Sequence, residues 1–499
     1  MKSRQSSEKI ISASIFICLI VFIGANIIVR ELNNLDEIWN FNFSNCVSKG
    51  MIPYRDFNMV QTPLLPLICG NILKIFGQEL FIMRILAIIL CSSVIMMMYK
   101  VLKKLKVKES IDYILLTFSV LLMNTYFTID YNWATLLVLL IIIYLEIPKK
   151  DENNEILKVN LKNDIIIGVL AGTCIMLKQS TGLLISIVTV GYKIFEIRNK
   201  GQIREFIKIA ASRALGVCIP IALITIYLLI NGALKDFIDY CILGVSTFSN
   251  KISYEERLIN NRNINFRILS IMPIILNIMF ALYFIKKERK FLILSLYGIA
   301  EFIVVYPISD ESHFVIGICP TLISVIYLLN FILNKFFTNK NINKKINYVI
   351  SNTILTFAIL ITIFEAYEKL KLYMNLNINH DMNHYKLIPI SEQFVENIKC
   401  VDDYIVKSQK NVYILDAQAA IYMIPIDRYN KDYDMFLKGN LGSQGEYGKI
   451  DKLKKEEEKI VLMLNENYNR NWQNPEEVRK FILMSMEKKG EIGIFSIYE

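Results

Sequence analysis

The sequence predicts a mainly α-helical, polytopic membrane protein of about 11 transmembrane helices, with a small extracytoplasmic α/β domain at its C-terminal end. Three observations lead there. Of 499 residues, 54% are hydrophobic and only 20% charged, an apolar excess beyond that of ordinary soluble domains. The excess is gathered into blocks such as residues 10–29, IISASIFICLIVFIGANIIV, which hold no charge over roughly 20 residues, the length of a helix that crosses a hydrocarbon core. Beyond about residue 367 the blocks give way to short alternating helix and strand patterns. A single soluble domain is excluded. With 20 Gly, 11 Pro and 9 Cys, so are disordered, collagen-like and disulfide-stapled chains.

Apolar runs bounded by charges place candidate spans at 10–30, 81–99, 111–128, 132–147, 164–177, 181–197, 207–230, 266–285, 291–308, 313–333 and 346–366. The first run also fits a signal peptide, but no small-residue cleavage site precedes Arg30 and Glu31, so it reads as a retained span. The piece TPLLPLICGNILKIFG (62–77) is broken by Pro63 and Pro66 and suits an interfacial helix. Orientation supports that choice. With 62–77 left out of the count, the lysines and arginines around 100–108, 149–162, 198–208, 286–290 and 335–345 all fall on the side of the N-terminus, and the opposite loops carry far fewer. The positive-inside rule makes that side cytoplasmic. It also accounts for the net charge of +10 without any nucleic acid. With an odd number of spans, the N-terminus is cytoplasmic and the tail extracytoplasmic.

Two domains follow: a membrane domain over 1–366, whose first external loop covers 31–80, and an extracytoplasmic domain over 367–499. In the tail, SEQFVENIKCVDDYIVKS (391–408) reads as a helix, NVYILDA (411–417) and EKIVLML (458–464) as strands, PEEVRKFILMSMEKK (475–489) as a helix opened by proline, and EIGIFSIY (491–498) as one final strand. GNLGSQGEYGK (439–449) matches no phosphate-loop spacing and reads as a flexible surface loop. No CxxC pair exists, and most cysteines lie in apolar runs, where a thiol behaves as a small hydrophobe.

The first external loop departs from plain anchoring. Asp36 and Glu37 follow the first span by a few residues, with Trp39 just behind. Paired carboxylates near lipid are costly unless water, a cation or a reacting group meets them. A reaction between a lipid-borne substrate and a water-side acceptor needs a base tethered at headgroup level. The plainer alternative is that both acids open an interfacial helix, whose first turn favours negative charge. IPYRDF adds Tyr54, Arg55 and Asp56, either a surface ion pair of little weight or groups that orient a phosphate or a sugar.

The Asp36-Glu37 pair after the first span, the stretch Gly-x-x-Pro-Tyr-Arg-Asp-Phe from Gly50 to Phe57, Pro63-Leu64 opening an interfacial helix, and Phe76-Gly77 followed by Arg84 together resemble GT-C glycosyltransferases. The branch they resemble is the protein-mannosyltransferase and aminoarabinose-transferase-like one. The likeness covers the first two-thirds of the chain in topology and residues 30 to 90 in motif. It implies an inverting enzyme of the bacterial plasma membrane with an active site facing away from the cytoplasm, a polyprenyl-phosphate-linked sugar as donor, and an envelope glycan, lipid or protein as acceptor. Asp36 would be the general base, and Glu37 would position it or the acceptor.

Lys178 sits at the external end of one span, where it resembles the family's lysine for the leaving phosphate; the alternative is a snorkelling side chain. His313, ahead of Pro320, stands where many relatives carry Arg and would also meet the donor phosphate, as would Arg55; the alternative for His313 is a simple interfacial histidine. Asp130 matches an acidic position and would hold Lys178, or else is a turn residue. Tyr54 and Asp56 would support the site. The loop 232–265 resembles a mobile loop that closes over substrate, or else is an inert connector. No cofactor is required, and no His/Cys cluster demands a metal, although a divalent cation near Asp36, Glu37 and Asp56 stays open. Acceptor recognition falls to the tail, with Tyr429, Trp472 and Asn474 as sugar-facing residues. The rivals are a transporter or flippase of lipid-linked sugars, against which stands the absence of repeated halves and mid-membrane charges, and a non-catalytic envelope scaffold.

Overall fold

A computed structural model of the chain describes all residues except Met1, Asn33, Asn124 and Asp434 and the segments 109–121, 149–158, 198–199, 248–252, 261–263, 337–339 and 466–473. The chain divides into two compact units. One comprises Met1–Ile27, Ala87–Leu223 and Ile252–Lys371; the other comprises Ile28–Leu86, Ile224–Lys251 and Leu372–Glu499. The tail therefore shares its unit with the first external loop and part of the 232–265 loop, in place of standing alone from residue 367.

In the first unit the apolar runs lie on helices, among them Tyr131–Glu146, Leu161–Leu177, Gln179–Gly191, Arg289–Phe302 and Cys319–Phe336. The expected span 111–128 falls largely outside the described residues. Among the described residues five helices are long and apolar enough to cross a membrane: Lys9–Ile28, Leu80–Lys104, Gln202–Ile230, Phe266–Lys286 and Val349–Asn375. A sixth results if Glu311–Gly317 and Cys319–Leu333, bent by 43°, form one broken span. Helices of 14 or 16 residues, such as Arg289–Phe302 and Tyr131–Glu146, reach only about 21 to 24 Å at 1.5 Å per residue, short of a ~30 Å hydrocarbon core. Length alone therefore leaves the expected count of about 11 open.

The outer faces of the long helices are apolar and exposed. Only 17% of the Gln202–Ile230 window is buried, and Leu215, Leu223, Ile226 and Leu229 lie on the surface. A stripe of that size fits lipid. On the inner side the helices Leu161–Leu177 and Gln202–Ile230 touch backbone to backbone. A Cβ on Gly168 would lie 2.2 Å from the Arg213 carbonyl oxygen, and one on Gly172 would lie 2.4 Å from that of Val217, so the Gly-x-x-x-Gly spacing is what lets them approach.

Helix ends of this unit are tied by buried charge. Arg213 donates from Nε and Nη2 to Asp164 Oδ1 at 3.0 and 2.8 Å, and from Nη1 to Glu146 and the Thr189 carbonyl. The Tyr192 hydroxyl donates to Glu146, and Glu196 pairs with Lys193 at 3.3 Å and Arg289 at 3.2 Å. All these residues belong to helix ends that the charge pattern assigned to one side of the membrane.

In the second unit one apolar core joins the first loop, the 224–251 segment and the tail. It contains Trp39, Phe43, Tyr54, Phe57, Leu228, Phe237, Tyr240, Met435 and Leu437. The tail adds a four-stranded sheet in the order β1-β2-β4-β3, from β1 (Asn411–Leu415), β2 (Lys459–Leu464), β3 (Lys488–Ile492) and β4 (Phe495–Tyr498). β1 and β2 are parallel; β4 runs antiparallel to both β2 and β3. The helix Glu392–Lys407 and the first two strands fall where the sequence places them.

Two expectations need correction. The last helix stops at Ser485, and the expected single strand over 491–498 is part of a hairpin that begins at Lys488. Gly493 makes the difference: it takes φ +54 at the turn, and a Cβ there would lie 1.8 Å from Asn397 Oδ1. The second concerns 439–449, which is not a flexible surface loop. Ser443 donates its N–H to Asp239 Oδ1 at 3.0 Å, and Lys449 is buried against Asp432 at 2.7 Å.

Candidate active site

The helix Leu35–Ser48 carries the paired acids in its first turn. Asn34 caps it, accepting the Glu37 N–H at 2.9 Å, and negative charge there favours the helix dipole. The plainer expectation for the position of these acids is thus met locally. Their side chains diverge, because neighbours on a helix point about 100° apart. Glu37 turns inward, where its two oxygens accept from Arg84 Nε and Nη2 at 3.0 Å each. Both side chains are buried, and Arg84 Nη1 also donates to the Arg30 carbonyl at 2.7 Å. Asp36 remains half-buried.

Several bonds hold the backbone beneath Asp36. Its carbonyl accepts from Asn40 Nδ2 at 2.8 Å, Asn40 Oδ1 accepts from Gln61 Nε2 at 3.0 Å, and Trp39 Nε1 donates to the Ala417 carbonyl at 2.6 Å. These bonds fix the stretch of backbone that carries Asp36.

Tyr54 is a core residue. It is fully buried at φ 66, its hydroxyl donates to the Gln61 carbonyl, and its ring meets Phe237 edge-on at 5.1 Å. Arg55 is exposed and grips its neighbour, with Nε and Nη2 at 2.9 and 2.8 Å from the two Asp56 oxygens. Asp56 also accepts the Ile52 N–H at 2.7 Å. The Arg55 hydrogen bonds hold the Asp56 carboxyl below its ordinary range despite partial burial.

A second set of expected residues lies within the helical unit. Lys178 is the single residue between the helices Leu161–Leu177 and Gln179–Gly191. Its Nζ donates to Asn132 Oδ1 at 2.6 Å and lies 5.5 Å from the centre of the Tyr131 ring. Asn132 Nδ2 in turn donates to Asp130 Oδ2 at 2.7 Å, so Asp130 reaches Lys178 through an amide. Burial raises the Asp130 carboxyl, and the Asn132 hydrogen bond with the charges of Lys178 and His313 offsets part of that rise. His313 sits in the first turn of Glu311–Gly317, with Nδ1 2.7 Å from Asp310 Oδ1; Asp310 also caps that helix. Tyr126 donates to Glu311 at 2.6 Å.

The sequence reading missed three participants. Arg84 was part of a pattern, not recognised as the partner of Glu37. Asn132 is a neutral relay with no charge to draw notice. Glu301 is buried, within electrostatic reach of Lys178, and its two carboxylate oxygens have no hydrogen-bond partner among the described residues. A lone acid inside the apolar run IAEFIVV was the available signal. Among the described residues no group of three His, Cys, Asp or Glu is placed to hold a metal ion. Trp472 lies outside the described residues.

Comparison with solved structures gives a match along the whole chain. The crystal structure of ArnT from Cupriavidus metallidurans bound to undecaprenyl phosphate aligns at TM-score 0.55 and 10% identity, covering 99% of this chain and 98% of that one. The apo ArnT structure aligns at 0.56 and 11% with the same coverage. The archaeal oligosaccharyltransferase AglB from Archaeoglobus fulgidus, in complex with an inhibitory peptide and a dolichol-phosphate, aligns at 0.48 and 11%, covering 92% of this chain and 70% of that one. No protein-family model and no curated protein matches. The chain shares the fold of ArnT along its whole length. At 10–11% identity the shared property is the fold.

Proposed function

We propose that the protein is an integral plasma-membrane glycosyltransferase that moves a sugar from a polyprenyl-phosphate donor to an envelope acceptor on the extracytoplasmic side. The observation that carries this reading is the full-length fold match to ArnT, a protein whose structure holds undecaprenyl phosphate. The hydrogen bonds that hold the helix of Asp36 and the placement of Lys178 by Asn132 support it.

In this mechanism Asp36 accepts the proton of an acceptor hydroxyl while that oxygen attacks the anomeric carbon. The bond from that carbon to the phosphate oxygen breaks on the opposite face, so the product is inverted and the polyprenyl phosphate leaves with its electron pair. Lys178, His313 and Arg55 offset the charge that grows on the phosphate. Glu37 anchors the helix through Arg84 and thereby sets the direction of Asp36. Asp130 and Asn132 orient Lys178.

The test incubates purified protein with a panel of polyprenyl-phosphate sugars and measures release of the lipid phosphate. Asp36→Asn lowers turnover by about 10² to 10⁴ with unchanged thermal unfolding. Wild-type turnover in Asp36→Asn sinks the base assignment; no release from any donor sinks the donor class.

A further inference from the structure

Glu301 is fully buried, one residue before the end of the helix Arg289–Phe302, and neither of its carboxylate oxygens has a hydrogen-bond partner among the described residues. A buried carboxylate without a donor is costly, so the group either carries a proton or keeps a counter-ion close by. The cation within electrostatic reach is Lys178, whose ammonium donates to Asn132 Oδ1 at 2.6 Å. No hydrogen bond joins lysine and glutamate, so Lys178 feels the acid without being tied up by it.

The other ionisable groups on the elements packed against this helix have partners of their own. Glu146 is paired with Arg213, and Glu196 with Arg289, twelve residues back from Glu301. His313 and Glu311 are bound to Asp310 and Tyr126. Tyr131 lies beneath Lys178, and Tyr283 and Tyr327 donate to the Phe195 carbonyl and to Glu288. Two buried thiols, Cys174 and Cys319, complete the set within electrostatic reach of Glu301, and Cys319 donates to the Val315 carbonyl at 3.3 Å.

Lys178 thus answers to two buried acids, Asp130 through the Asn132 amide and Glu301 directly through space. With both ionised, the three groups sum to one negative charge, and a phosphate brought to the lysine would be repelled. A proton on Glu301 brings the sum to zero and frees the attraction of Lys178 for the phosphate. The demand on that attraction grows during transfer: the donor is a phosphodiester with one negative charge, and the departing lipid phosphate is a monoester able to carry two.

We propose that Glu301 is a positioning residue of the donor site that acts through Lys178: it carries a proton while the lysine holds the lipid phosphate, and when ionised it competes with that phosphate for the ammonium. Binding therefore takes up one proton from solvent onto a Glu301 carboxylate oxygen, no other bond changes, and loss of the proton favours release. The proposal deepens the glycosyltransferase reading and rests on its assignment of Lys178.

The test is binding of undecaprenyl phosphate methyl ester to the full-length protein in nanodiscs, followed by calorimetry from pH 6 to 9. The ester is a diester with no proton of its own to exchange in that range, and buried glutamates are able to hold a proton up to about pH 8 to 9. Wild-type affinity falls at least tenfold as pH rises, and two buffers of different ionisation enthalpy report proton uptake on binding. Glu301→Gln, which cannot ionise, retains at pH 9 most of its affinity at pH 6 and takes up fewer protons, and Glu301→Asp restores the dependence. Should Glu301→Gln fail to fold, His313→Gln must keep the uptake, which separates the glutamate from the histidine. Binding that ignores pH, binding without proton uptake, or equal slopes in wild type and Glu301→Gln overturns the inference and leaves the donor class standing. Absence of binding at every pH counts against the donor class itself and takes the inference with it.

Discussion

Arg84 takes both carboxylate oxygens of Glu37 at 3.0 Å, and neither side chain is more than 5% exposed. Glu37, one member of the acidic pair, is thereby committed to structure. A buried bidentate pair fails badly when one partner is removed, because the other charge stays behind unpaired.

Arg84→Ala is accordingly expected to destabilise the protein by about 3 to 5 kcal/mol. Arg84→Lys, which cannot fork, recovers only part. Thermal unfolding in detergent reads both, and a double-mutant cycle with Glu37→Gln should show strong coupling. Additive effects would mean the two side chains act separately.

Lys178→Met should raise KM for the polyprenyl-phosphate donor by about 10- to 100-fold, the usual worth of a charged hydrogen bond. Asn132→Leu should produce a smaller change in the same direction, since it removes only the amide that orients the cation at 2.6 Å. Donor titrations at fixed acceptor check both. An unchanged KM in Lys178→Met would leave the lysine a membrane anchor.

Asp402 makes a stability prediction with a definite sign. Burial, helped by the neighbouring Asp403, pushes its carboxyl up to about 8, and its Oδ1 has no hydrogen-bond partner among the described residues. The folded state keeps this proton from about pH 4 to 8 while the unfolded chain, with an ordinary carboxylate near 3.9, has lost it. Its contribution to stability therefore declines as pH rises across that window. Asp402→Asn should raise the melting temperature at pH 8, have little effect at pH 4, and flatten the dependence between them. A wild-type protein that grows more stable over this range because of Asp402 would refute the assignment.

Asp432 anchors the 232–247 segment to the tail. It accepts from Tyr240 at 2.6 Å, Lys449 at 2.7 Å and Lys452 at 2.8 Å. Burial alone would raise its carboxyl, yet the charge and hydrogen bonds of Lys449, with those of Lys452 and Tyr240, hold it well below the ordinary range. Asp432→Ala strands the buried Lys449 and should release the segment, seen as new protease cuts between residues 234 and 247. Those residues are helical and tethered, with Thr247 Oγ1 donating to the Lys438 carbonyl at 2.8 Å.

Much of the fold was legible because the forces that set it are periodic or cumulative. Uncharged runs gave the helices, and Lys and Arg asymmetry grouped helix ends that the Arg213 network does bring together. The sequence singles out the carboxylates of the first loop because charge near lipid needs a reason. What escaped depends on partners far apart in sequence. Nothing local says that Glu37 belongs to Arg84 or that Asn132 stands between Asp130 and Lys178. The final hairpin was misread because one glycine at positive φ outweighed a run of strand-forming residues. Membership of the first loop in the same unit as the tail rests on apolar contacts such as Trp39 and Phe43 with Met435, which no pattern within either segment reveals.

Lys178 is extended, at φ −147 and ψ 111, and separates two helices by itself. One inserted residue at this joint would rotate the whole following helix by about 100° against the preceding one. The ammonium is thus aimed by the reading frame of a two-helix corner, and a change in the length of that corner would turn it away.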